Sequence, residues 1–242
     1  MPKAFSNVVV FVLLVLTITV ADTRYLIASN KITALPQKEG QCGYKSVRVI
    51  GDALVDGFDY CRPLFKVMAY FRSMGFEFEP KFSLIIASKS NSEQSNSYGT
   101  FDAEKDNITI YPIGEKKPWN LIWNEEVYSS IVIHEMVHMA VLDILDKNYD
   151  RLPKEWHEFI AYSIQIALLK ERLRDEVLSK YNNITAFDNL LNLNPILYNL
   201  AASDRFSVMA YKTYQARGGS TFIRNLLLFK FQPPNFLDLF PF

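Results

Sequence analysis

Three histidines and two cysteines are few soft ligands for a chain of 242 residues. Neither Cys42 nor Cys61 has a partner at metal-ligand spacing, which excludes a cysteine-rich zinc module. A surplus of one charge is also missing, with Lys+Arg 26 against Asp+Glu 26. That balance removes the electrostatic case for nucleic acid, and no acidic tail is present. The apolar run at residues 8–20 counts thirteen residues, short of the roughly 20 that span a bilayer. No internal repeat is present. The composition is 49% hydrophobic and 21% charged, which points to a packed globular core rather than disorder.

The N-terminus has the build of a secretory signal peptide. Lys3 precedes the apolar run, and Thr19-Val20-Ala21 supplies small residues before a cleavage point after Ala21. An uncleaved anchor is the alternative, if the apolar run is stretched from Phe5 to Ala21. Export implies an oxidising compartment, periplasmic or extracellular, where Cys42 and Cys61 are expected to form one disulfide. Two buried free thiols are the alternative.

Residues 22–43 read as a polar lead-in, and 44–242 as one domain with an α/β half (44–150) and a helical half (151–242). Residues 44–50 suit a first strand. Leu54, Phe58, Cys61, Phe65 and Met68 recur at helical spacing, with Pro63 warning of a late start or kink. Residues 82–87 read as a buried strand and 88–98, rich in Ser and Asn, as a loop. Residues 107–111 alternate as a half-exposed strand. Helices are expected over 124–145 and from Pro153 past Leu169 toward 180, with Asn- and Gly-marked breaks in the helix-like remainder. The class is α+β: a small mixed or antiparallel sheet, an active-site helix and a mainly helical C-terminal half.

The chemistry lies in residues 131–140, IVIHEMVHMA. His134 and His138 are one helical turn apart on the same face, so both imidazoles can reach one metal ion. Glu135 can face a water on that ion and act as general base, the logic of H-E-x-x-H in zinc peptidases. Glu135 is also the sole Asp, Glu, Lys or Arg between Tyr128 and Leu142. A helix so apolar is expected to be buried, and a buried carboxylate needs a partner. The competing view is a core helix with satisfied histidines and a salt-bridged glutamate.

Tetrahedral zinc needs a third protein ligand and an open position. The extended metzincin pattern fails, because Val141 and Ile144 occupy its glycine and histidine positions. A glutamate on a second helix remains, within LPKEWHEFIAYSIQ. Glu158 is preferred, being followed by apolar residues that can bury. Glu155, nearer the helix start, suits the helix dipole without any metal. His157 lies about 100° around the helix from Glu158.

With these residues in place, the chain resembles the gluzincins, zinc peptidases with H-E-x-x-H on one helix and a glutamate ligand on the next. Trp156-His157-Glu158-Phe159-Ile160-Ala161 is similar to the W-L-x-E-G-F-A pattern around that glutamate, with alanine three residues after it. The likeness is closest to small exported bacterial members and covers residues 131–165 strongly. It implies a zincin-like fold, Zn2+ held by His134, His138 and Glu158, and Glu135 as catalytic base. It further implies a peptide or protein substrate paired in extended form with a sheet edge, to which residues 99–102 and 107–111 are assigned. A tyrosine is expected to stabilise the oxyanion, with Tyr198, Tyr211 and Tyr214 as candidates. The glycine-rich exopeptidase motif is missing, so an endopeptidase is the leading expectation. An inactive zincin-fold binding module and a zinc amidase acting on a non-protein amide are the alternatives. No nucleic acid and, after signal removal, no membrane partner is expected.

Overall fold

A computed structural model describes residues 38–39, 41–51, 58–87, 97–111 and 117–233. The expected signal peptide, most of the lead-in and the apolar C-terminal tail after residue 233 lie outside the described residues. The strands are β1 (Lys38–Glu39), β2 (Val47–Gly51), β3 (Phe82–Ile86), β4 (Gly99–Asp102) and β5 (Asn107–Ile110). They form one mixed sheet in the order β1-β2-β3-β5-β4. The central pairs β2/β3 and β3/β5 are parallel, and the outer pairs β1/β2 and β5/β4 are antiparallel. The fold is α+β, as the sequence pattern requires.

Alternation explains the sheet. Phe82, Leu84 and Ile86 of β3 and Ile108 and Ile110 of β5 are buried, while the residues between them are half-exposed. The helix α1 (Cys61–Ser73) packs against the core through Leu64, Val67 and Phe71. It starts at Cys61, and Pro63 stands in its first turn, where a missing N–H costs nothing. The Asp59 carboxylate accepts from the backbone N–H of Cys61 and Arg62 there. Cys42 and Cys61 are joined as a disulfide, which ties the approach to β2 onto the first residue of α1.

The second helix, α2 (Glu125–Leu145), runs through the core, with every residue from 127 to 141 buried. Asn124 caps it by accepting from the Val127 N–H at 2.9 Å. Among the described residues, Glu125–Arg151 is the one helical stretch long and apolar enough to cross a membrane, and 78% of its apolar window is buried inside the fold. It is the core helix.

The expected second helix is two. The chain forms α3 (Lys154–Ala167) and, after Leu168-Leu169-Lys170, α4 (Glu171–Lys180). Lys170 turns to extended geometry, and the Arg174 guanidinium donates to the Ala167 carbonyl across the break. Leu169 and Leu173 are thereby buried in a second apolar cluster with Trp119, Val127 and Tyr211. The chain continues as α5 (Pro195–Leu200), α6 (Ser203–Ala216) and α7 (Ser220–Leu227). Asn194 caps α5, and Gly218 and Gly219 adopt positive φ between α6 and α7.

Candidate metal centre

α2 and α3 pack face to face in the core and bring the sequence-predicted residues together. The Nε2 atoms of His134 and His138 lie 3.2 Å apart. A Glu158 carboxylate oxygen lies 3.4 Å from His134 Nε2, and the other lies 3.8 Å from His138 Nε2. One donor atom from each residue falls within 4.8 Å of the others. Ligands about 2.05 Å from a tetrahedral zinc are separated by about 3.3 Å from each other. The three donors are therefore already close to the spacing that one metal ion requires.

The rival ligands are placed elsewhere. Trp156, Phe159 and Ile160 anchor α3 in the core, which turns Glu158 toward α2. His157 is directed to the segment Asp146–Arg151, its ring nitrogen 3.2 Å from the Tyr149 carbonyl and its ring 4.1 Å from that of Tyr149. Glu155 is buried, against the expectation of an exposed first turn, and burial raises its carboxyl pKa. It is not one of the three residues whose donor atoms converge, and it does not line the cleft beside them.

Glu135 lines the same cleft and is buried. Burial raises its pKa to about 7, helped by the Glu158 charge and opposed by His134. Burial drives His138 the other way, to about 3. Burial also opposes ionisation of Glu158, but the bond from His134 and the charge of the two imidazoles outweigh it and hold Glu158 at about 2. Burial alone would lower the pKa of His134, but the bond to Glu158, the charges of Glu135 and Glu158 and the bond to Gln165 together outweigh it and raise it. Glu158 is thus the ionised member of the cluster, and Glu135 is poised near neutrality.

The cleft has a volume of about 1110 Å³ and is walled by β4, Pro118-Trp119 and the α5–α6 corner. The sheet places β4, not the 107–111 strand, along it: β5 is interior, flanked by β3 and β4, and β4 is the edge. The sequence shows two short alternating segments, but which one ends the sheet depends on pairing partners far away in the chain. Gly99 at the start of β4 is a site residue whose role composition does not reveal. A Cβ there would lie 2.9 Å from Glu135 Cγ and Oε1, so only glycine lets the edge approach the carboxylate.

Of the three candidate tyrosines, Tyr198 on α5 lines the cleft, where burial and the nearby Glu158 charge raise its hydroxyl pKa. Tyr211 is buried in the second cluster and stacks on Tyr214, whose hydroxyl pairs with that of Tyr70. Tyr162, one turn after Glu158, places its ring 4.3 Å from that of His134. It was signalled by the i, i+4 spacing alone.

Residues 47–231 match the model of a family of unknown function, DUF6639. The chain belongs to this family. The segment shared with DUF6639 holds the whole cluster, from Gly99 through Glu135 to Tyr198, whereas Cys42 lies before it. No curated protein and no solved structure matches the chain.

Proposed function

We propose that this protein is a zinc-dependent hydrolase of gluzincin type and zincin-like fold, acting as an endopeptidase. The observation that carries the reading is the convergence of His134, His138 and Glu158 on one point, beside a buried Glu135 and a sheet edge. Two imidazoles and one carboxylate are the donor set of catalytic zinc sites that keep a position open. Bound there, zinc would supply Lewis acidity at neutral pH.

The chain's own residues do the rest. Glu135 accepts a proton from the attacking water and delivers it to the leaving amine nitrogen. The strand β4, at the edge of the described sheet, pairs with the substrate backbone in extended form, which sets the scissile bond along the cleft. Tyr198 is the one of the three candidate tyrosines that lines the cleft near Glu158, and its hydroxyl serves as donor to an oxyanion. The Cys42–Cys61 disulfide fits a periplasmic or extracellular location after signal removal.

The test is zinc content together with hydrolysis of an unstructured protein, wild type against Glu135→Gln. Stoichiometric zinc in both, with cleavage lost in the variant, supports the reading. Zinc without any Glu135-dependent cleavage points to a binding module. Cleavage of small amides but not of proteins points to a non-peptide amidase.

A further inference from the structure

Behind His134 lies a chain of three buried hydrogen bonds that runs to the first turn of α2. His134 Nδ1 is 3.1 Å from Gln165 Oε1. Gln165 Nε2 is 3.3 Å from Ser130 Oγ. The Ser130 hydroxyl donates to the Val127 carbonyl at 2.7 Å. Gln165 and Ser130 are 2% and 1% exposed, so water does not compete for these bonds.

The direction of the chain is set at its far end. A backbone carbonyl can only accept, so Ser130 spends its one proton on Val127 and can only accept from Gln165. Gln165 must then present its NH2 to Ser130 and its oxygen to His134. An oxygen can only accept, so His134 must carry a proton on Nδ1. Its Nε2, the atom facing Glu158 and His138, is left free to ligate once the ring is neutral. Resting on the metal reading above, we propose that Gln165 is a positioning residue. It fixes the tautomer and ring orientation of His134, with Ser130 and the Val127 carbonyl setting its own orientation. The acceptor is a neutral amide, so it orients the imidazole without adding charge next to the metal site.

The test is zinc affinity by chelator competition. It is paired with 1H–15N spectra of the metal-free imidazoles, recorded at rising pH until the His134 ring is neutral. Gln165→Met keeps the volume and removes the acceptor. It should weaken zinc about 10- to 100-fold and lose the Nδ1–H form of His134. Gln165→Glu restores an acceptor and should bind zinc at least as tightly as wild type. Ser130→Ala, a smaller change, frees the amide to turn and should give mixed tautomers with a few-fold loss. Wild type that binds zinc while Gln165→Met binds it equally well overturns this inference alone, as does an Nε2–H form in the wild type. Wild type that takes up no zinc overturns the metal reading and this inference with it.

Discussion

Replacing Gly99 by alanine tests the packing that places Glu135. Gly99 is not in the left-handed region, so alanine meets no backbone strain and the effect is steric. The new methyl would sit 2.9 Å from Glu135 Cγ and Oε1 and 3.1 Å from Ile110 Cδ1. Carbon atoms prefer about 3.5–4.0 Å, so the methyl and Glu135 must separate by about 0.6 Å or more. Overpacking of that kind costs about 1–3 kcal/mol. A displacement approaching 1 Å at a catalytic group lowers turnover by up to about 100-fold. On the proposed hydrolase function, Gly99→Ala is therefore expected to lower kcat about 10- to 100-fold with zinc content unchanged, since the atoms nearest the new methyl belong to Glu135 and Ile110. Denaturant unfolding of four metal-free proteins isolates the contact: wild type, Gly99→Ala, Glu135→Ala and the double variant. Glu135→Ala removes the two atoms that clash, so Gly99→Ala should cost less stability in that background. An equal cost in both backgrounds, or a Gly99→Ala variant as active as wild type, refutes the packing of Glu135 against Gly99.

Two further outcomes follow from the same geometry. Cys42 and Cys61 close a loop with a sequence separation of 19, so a Cys42→Ala/Cys61→Ala variant should lose about 3 kcal/mol by denaturant unfolding. Glu135 has a folded-state pKa of about 7 against an ordinary 4.5, so its protonated form favours the metal-free fold below pH 4.5. That contribution is lost as pH rises toward 7. Glu135→Gln does not titrate, and its stability relative to metal-free wild type should therefore increase over this window by about 3 kcal/mol; a gap constant with pH counts against the burial of Glu135.

The site was legible where local chemistry decided it. The H-E-x-x-H spacing, the uncharged run around it and the Asn124 cap all lie within one helix, and α2 follows them closely. Glu158 was legible because its apolar neighbours fix which way α3 faces. Other features were set by distant partners and left little local trace. The break between α3 and α4 carries neither glycine nor proline, and burial of Leu169 and Leu173 decides it. The edge position of β4 depends on β5 pairing with β3. Glu155 is buried by tertiary packing that its sequence position does not announce. Gly99 and Gln165 act through contacts 36 and 31 residues away along the chain, with Glu135 and His134 respectively.

The most direct measurement is a zinc-edge anomalous difference map from crystals of the zinc-loaded protein. One peak is expected about 2.0–2.2 Å from His134 Nε2, His138 Nε2 and a Glu158 carboxylate oxygen, with Glu135 facing the open side. A stoichiometric zinc peak elsewhere, or one with Glu155 or His157 in place of Glu158, would contradict the three-residue centre.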